Sequence, residues 1–430
     1  MHLLKKIALF FTVFFFLYPV FPKLSPIPLD RILQIIGFGL FLAQYKDRAT
    51  LFHSKRFYRF CGLTLILLFL GLIGIFQSDY NGYDFYFVKM VFDTFLCFFS
   101  AYLIYWLARK CYPVVNIGII IHYIVLCAVI QTIICSVFFL NPQLLNSYMS
   151  LLNQDTNQGI ISRLDAIKIR FIGFGSQFFS GAIKYGIATF SVLILPYTYK
   201  SWLTSNKLIY FCCLLLILIG GVFTARTCFI GIGLGVIMIL ALHLNSIISF
   251  VKINIKIISI IILSLSILLV LAKLILTPVR FEAAYNFVFE VFINYFSGNG
   301  AHSGSSNKLI AMYNVFPHSQ KTWLLGDGRM QDPLGGYYKH IDVGFLRLIF
   351  YFGLPFTCLF TYILYRYNKI IQPLIVERPL KYYIFFISIW LIVLNIKGLA
   401  FDSYYFVLIL VFAIFSNRNA YLFVLPENDK

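Results

Sequence analysis

Apolar and polar positions fall in blocks along this chain. Apolar runs of about 15 to 27 residues follow one another, separated by polar segments. Runs of that length approach or exceed what is needed to cross a hydrocarbon core roughly 30 Å thick. In lipid they must be helical, because every backbone N–H and C=O has to be satisfied within its own segment. The pattern predicts spans at about 7–22, 29–44, 57–76, 85–107, 114–140, 181–199, 208–223, 228–244, 255–276, 345–365, 382–396 and 400–416. The expected fold is all-α: a polytopic transmembrane bundle of about twelve spans in one integral membrane domain over 1–430. Two connections are long, about 141–180 and about 277–344. Both carry Phe, Tyr and Gly among their polar residues, which marks them as ordered working loops rather than tethers.

Composition agrees with this reading. Sixty per cent of the 430 residues are apolar and 12% are charged, against about 25% charged in a soluble domain. The net charge of +19 would suggest nucleic acid in a soluble protein. Here the basic residues recur in alternate connections, as the positive-inside rule requires of cytoplasmic segments. Examples are Lys5 and Lys6; Lys55, Arg56 and Arg59; Arg109 and Lys110; and Arg366 and Lys369. Both termini are therefore expected in the cytoplasm and the two long loops on the outer face. No basic region is long enough to form a nucleic-acid-binding domain. Lys5 and Lys6 followed by an apolar run imitate a signal peptide, but Pro19-Val20-Phe21-Pro22 offers no small-residue cleavage site, so an uncleaved first span is expected. Neither long loop contains a cysteine, which argues against a disulfide framework.

The outer loops carry an unexpected charge. The first holds Arg163, Lys168 and Arg170; the second holds Arg280, His302, His318, Arg329, His340 and Asp342, with Arg347 at the mouth of the next span. Arg226 stands between two apolar runs, where a charge must pair, snorkel or line a wet cavity. These arginines either bind an anionic ligand, for which a bidentate guanidinium suits phosphate oxygens, or pair with Asp155, Asp165, Glu282, Glu290 and Asp327, or meet lipid headgroups. His340, two residues before Asp342, is a candidate general base. Gly231 and Gly235 have the spacing that lets membrane helices approach closely. Trp323, Tyr337 and Tyr338 offer aromatic faces on which a sugar could stack.

Three stretches together resemble the Wzy-type O-antigen and polysaccharide polymerases and, more distantly, the O-antigen ligases. The first is Arg170-Phe-Ile-Gly-Phe-Gly-Ser-Gln, in which Arg170 and Gly181 also fit the family's pattern of Arg, ten residues, then Gly. The second is Thr224-Ala225-Arg226-Thr227. The third runs from Trp323-Leu-Leu-Gly326-Asp327-Gly328 through His340-Ile-Asp342-Val-Gly344-Phe-Leu-Arg347 to Phe352-Gly353-Leu354-Pro355. A second Arg-x10-Gly is missing: Val291 stands eleven positions after Arg280, and His340 eleven after Arg329.

The resemblance implies glycosyl transfer on the periplasmic face of a bacterial inner membrane, with no cofactor and no metal. The donor would be a glycan on undecaprenyl diphosphate and the acceptor a second lipid-linked repeat unit. A flippase and a chain-length regulator would be partners. Arg226, Arg170 and Arg280 would be the first choices for holding the diphosphate, with Arg329 and Arg347 as seconds. His340 would take the acceptor proton, with Asp342 orienting or replacing it. An O-antigen ligase is the alternative within the same chemistry. A lipid-linked oligosaccharide flippase is the alternative of another class, although only Lys89 and Asp93 lie clearly inside a span.

Overall fold

The computed structural model describes residues 2–77, 83–153, 170–175, 178–243, 273–274, 277–300, 302–332 and 336–422. Almost all of the expected span 255–276 lies outside these residues, as do Asp155, Arg163, Asp165 and Lys168. In chain order the helices are α1 (His2–Leu17), α2 (Leu29–Ala43), α3 (Tyr45–Phe52), α4 (Lys55–Phe76), α5 (Tyr86–Cys111), α6 (Ile117–Leu140) and α7 (Pro142–Ser150). They continue with α8 (Phe178–Thr198), α9 (Trp202–Ser205), α10 (Lys207–Thr224), α11 (Cys228–Leu242) and α12 (Pro278–Phe296). The last are α13 (Gly304–Tyr313), α14 (Gln320–Leu325), α15 (Gly344–Ile371), α16 (Arg378–Leu394) and α17 (Tyr404–Leu422). Among the described residues there is no β-sheet, only isolated bridges.

Among the described residues, six helices are long and apolar enough to cross a membrane: α4, α5, α6, α8, α10, and α15 with the short turn that extends it to Leu374. They coincide with six of the twelve expected spans. Other expected spans are shorter as helices. The first ends at Leu17, ahead of Pro19 and Pro22, and has 16 residues; at 1.5 Å per residue that is about 24 Å. α2 and α11 have 15 residues each and α16 has 17.

The chain divides into two compact units. One comprises Met1–Leu9, Ile32–Ile117 and Gly304–Lys430; the other comprises Phe10–Arg31 and Gly118–Ser303.

In the first unit, α4, α5, α16 and α17 pack around α15 or each other. Polar side chains tie the helices together. Tyr102 and Arg109 on α5 hold the buried carboxylate of Asp47 on α3, at 2.7 and 3.2 Å. Thr64 on α4 bonds the Tyr367 hydroxyl on α15 at 2.9 Å, and the Phe60 ring stacks on Tyr367.

The decisive feature of this unit is a break in α15. Phe352 and Gly353 leave helical geometry, with Gly353 at φ +84°. Pro355 has no N–H to give the Tyr351 carbonyl four residues earlier. The carbonyls this frees are satisfied from the preceding loop: Asp327 N–H donates to Phe350 O at 2.6 Å and Gly328 N–H to Tyr351 O at 3.0 Å. That seal requires backbone to touch backbone. A Cβ on Gly326 would lie 2.4 Å from the Tyr351 carbonyl carbon, and one on Gly353 would lie 2.3 Å from Leu324 O. Both glycines also have positive φ, a conformation costly for other residues. Tyr351 in turn wedges against α4, where its hydroxyl donates to Gly71 O at 2.9 Å and its ring fills the space beside Gly74.

The second unit is built on α8, which is almost entirely buried. Gly220 on α10 lets Tyr185 and Thr132 approach, and Gly235 on α11 lets Leu193 and Thr189 approach. The expected close-packing face of α11 is thus realised at Gly235. Ahead of α8, the loop Gly173-Phe174-Gly175 is plugged into the unit's core. The Gln131 amide donates to Phe174 O at 2.8 Å, and the buried Lys184 ammonium donates to Gly175 O at 2.9 Å. Tyr148 on α7 packs on Phe138 and Phe174, and burial pushes its phenol up to about 12.

Gly353→Ala combines left-handed strain with a backbone collision, whereas Gly298→Ala carries strain of the same sign (φ +77°) in open space. Strain alone costs about 1–3 kcal/mol. Thermal unfolding of the detergent-solubilised protein should therefore fall clearly further for Gly353→Ala than for Gly298→Ala. Equal falls would show that the sealed break does not carry the packing described.

Candidate functional site

The expected site residues divide between the two units, and each group has its own chemistry. In the second unit, Phe171 N–H bonds Phe223 O at 3.1 Å and their rings stack. This pins the loop before α8 to the end of α10, and so brings Arg170 into the neighbourhood of Arg226. Both guanidinium groups sit over the Phe287 ring of α12, at 4.6 Å for Arg170 and 4.9 Å for Arg226. Arg170 also lies over Phe178. Arg226 forms an ion pair with Glu290, one turn beyond Phe287 on α12. Arg280 stands in the first turn of α12, seven residues before Phe287 and thus on the same helix face, about 11 Å away along the axis.

In the first unit the site is assembled around the sealed break. The loop that closes α15 continues directly into Arg329, and α15 itself carries Arg347 in its first turn. Asp84, just ahead of α5, fixes the loop's course. One carboxylate oxygen accepts from Met330 N–H at 2.6 Å and from Gln331 N–H at 2.7 Å. The other accepts from Tyr86 N–H at 2.9 Å. Asp327 accepts from the Thr322 hydroxyl at 2.6 Å and from Tyr338 at 3.2 Å, with Lys339 Nζ 3.8 Å away. Trp323 donates to Pro317 O at 2.9 Å and packs on the cluster of Ile341, Val343 and Leu346. Trp323 and Tyr338 are therefore committed to holding the loop.

Arg347 is the unusual member. It is 4% exposed, and Arg329 is 5% exposed. The Arg347 guanidinium lies over Tyr337 at 4.5 Å and over Tyr86 at 5.3 Å. Among the described residues nothing hydrogen-bonds to its Nε or Nη2. The magnitudes do not balance. Removing a cation from water costs several kcal/mol even after relaxation, on the order of 5, while the two cation–π contacts return about 2 each when desolvated, and less here, where both tyrosines are partly exposed. A guanidinium in that state has the chemistry of an anion site.

His340 is exposed and ends a 3-10 turn in which Lys339 and His340 both have positive φ, +53° and +57°. Its amide donates to Tyr337 O at 2.8 Å. Asp342 is half-buried. No hydrogen bond between the two side chains is among those of the described residues, so the structure gives no support for Asp342 orienting His340.

The sequence reading passed over Asp84, Tyr86, Phe287 and Lys184. Asp84 had one local signal, an acidic residue two positions before the first residue of a helix, where its oxygen meets a free amide. The partners of the other three are distant in sequence.

No protein-family model matches this chain, and no curated protein and no solved structure matches it.

Asp84→Ala removes three acceptor interactions from the loop before α15 and from the start of α5. Each charge-assisted bond contributes about 1.5–3 kcal/mol. Hydrogen exchange at the Met330 and Gln331 amides should accelerate at least tenfold while the amides of α8 keep their rates. Unchanged exchange at these two amides would mean that Asp84 does not hold the loop.

Proposed function

We propose that this chain is a Wzy-type polysaccharide polymerase of a bacterial inner membrane. It would join undecaprenyl-diphosphate-linked repeat units on the periplasmic face, through about twelve spans with both termini in the cytoplasm. The observation that carries the reading is Arg347: a buried guanidinium, framed by two tyrosines, with two nitrogens lacking a hydrogen-bond partner among the described residues. A phosphate oxygen pair would satisfy those donors with charge-assisted bonds. The six long apolar helices suit a substrate that is itself anchored in lipid.

In the reaction, an acceptor sugar hydroxyl attacks the anomeric carbon of the donor glycan. The new C–O bond forms as the bond to the diphosphate breaks, and the diphosphate departs with the electron pair. Negative charge grows on the leaving oxygens, where preorganised cations lower the barrier. Arg347 takes that role ahead of Arg226, whose charge is already matched by Glu290, with the buried Arg329 as a second. Arg170 and Arg280 remain secondary candidates for the diphosphate. His340, exposed beside the same loop, is the group proposed to accept the hydroxyl proton, with Asp342 as its replacement rather than its orienting partner. A flippase and a chain-length regulator would be partners in the same membrane.

The test is genetic. Deletion should reduce a laddered surface polysaccharide to single repeats. Wild-type protein should restore the ladder, Arg347→Ala should not, and Arg347→Lys, which loses the bidentate fork, should restore less than about a tenth. A full ladder from an equally abundant Arg347→Ala protein would refute the assignment. Polymer retained on the lipid carrier after deletion would indicate the ligase instead, and repeats trapped on the cytoplasmic leaflet a flippase.

A further inference from the structure

α12 lies in the segment expected to be a polar outer loop, yet two different stripes run along its length. At helical spacing, Phe281, Tyr285, Phe289, Phe292 and Phe296 form a continuous aromatic stripe. Neighbouring rings touch: Phe281 with Tyr285 at 6.0 Å, Tyr285 with Phe289 at 4.9 Å, and Phe289 with Phe292 at 6.5 Å. Tyr285, Phe292 and Phe296 are exposed, Phe296 by 83%. One position further along, Glu282, Asn286, Glu290 and Asn294 form a polar stripe at intervals of four.

The aromatic stripe does not end at α12. Phe292 meets Phe229 at 6.4 Å, and Phe229 opens the outward face of α11, with Ile230, Val236 and Ile237 also exposed. α11 is an apolar helix whose other face, at Gly235, is packed on α8. The exposed apolar faces of α11 and α12 are one continuous surface within this unit.

From this continuity we infer that α12 lies in the membrane interface, parallel to the bilayer plane, with its aromatic stripe resting on lipid. An in-plane amphipathic helix buries one face among the acyl chains and leaves the other in the headgroup water, and aromatic rings favour that depth. A spanning orientation would carry the polar stripe through hydrocarbon, where each charge costs at least about 2.5 kcal/mol. Phe outnumbers Tyr in the stripe, so most of its rings bring no polar atom that must reach water or hydrogen-bond a sugar. The inference requires only that the protein is embedded in a membrane and stands independently of the polymerase reading. Under it, the Arg226–Glu290 pair on the polar side of α12 marks the level of the headgroups.

The full chain, with the exposed Cys212 and Cys358 replaced by Ser, would be spin-labelled at single positions and reconstituted in phosphatidylcholine vesicles. Labels at Tyr285→Cys and, independently, at Phe296→Cys should collide freely with oxygen and be shielded from a water-soluble nickel chelate. A label at Asn286→Cys should show the opposite preference. The expected contrast in the nickel-to-oxygen accessibility ratio is at least threefold. Equal nickel access at all three positions would overturn the inference. So would stripe labels shielded from both probes, which would indicate a second copy over the stripe. Stripe labels that meet nickel freely until a soluble polysaccharide is added would also overturn it, in favour of a glycan surface.

Discussion

A helix inside a bilayer can be broken only if every backbone group released by the break finds another partner. The first unit depends on how that demand is met at Gly353 and Pro355. The Phe350 and Tyr351 carbonyls turn to the amides of Asp327 and Gly328, and this fixes the path of the chain on both sides of the loop. On one side the loop leads into Arg329 and the segment held by Asp84. On the other, α15 begins with Arg347 and packs its Tyr351 ring into the small-residue gap on α4. The buried arginines are where they are because a proline took away one donor and two glycines let a loop supply replacements.

The two arginine groups illustrate opposite electrostatic solutions. In the second unit, Arg226 has a carboxylate against it and an aromatic ring beneath it, so the charge of that side chain is matched. In the first unit, the nearby carboxylates are occupied: Asp84 by three backbone amides and Asp327 by Thr322, Tyr338 and Lys339. Arg347 lies against the aromatic faces of Tyr86 and Tyr337. Both carboxylates are spent on holding the loop ahead of α15.

Much of this architecture was legible in the sequence because membrane helices announce themselves by length and apolarity. α4, α5, α6, α8, α10 and α15 were visible on that basis. Gly326-Asp327-Gly328 and Phe352-Gly353-Leu354-Pro355 stood out only through the resemblance to the polymerases. That the two motifs complete each other's hydrogen bonding was not legible, because spelling does not say which loop meets which helix. The partners of the arginines were not legible for the same reason. Arg226 pairs with a residue 64 positions away, and Asp84 reaches Met330 across 246. α12 was hidden by its own charges: Arg280, Glu282 and Glu290 made it read as polar loop, while its aromatic stripe shows only when the residues are wound onto a helix.

The origin of the seal on α15 also matters for how the protein is made. Asp327 and Gly328 lie about two dozen residues before the carbonyls they satisfy, so they have left the ribosome before the defect they repair. The loop and the first half of α15 can close on each other with the small entropy of a short ring, without waiting for the rest of the bundle. The weakest point of α15 is thus paired by contacts that are local in sequence. The contacts of Tyr351 with Gly71 and Gly74 are of the other kind: they join segments 280 residues apart, so the break is closed locally while its docking on α4 waits for the packed unit.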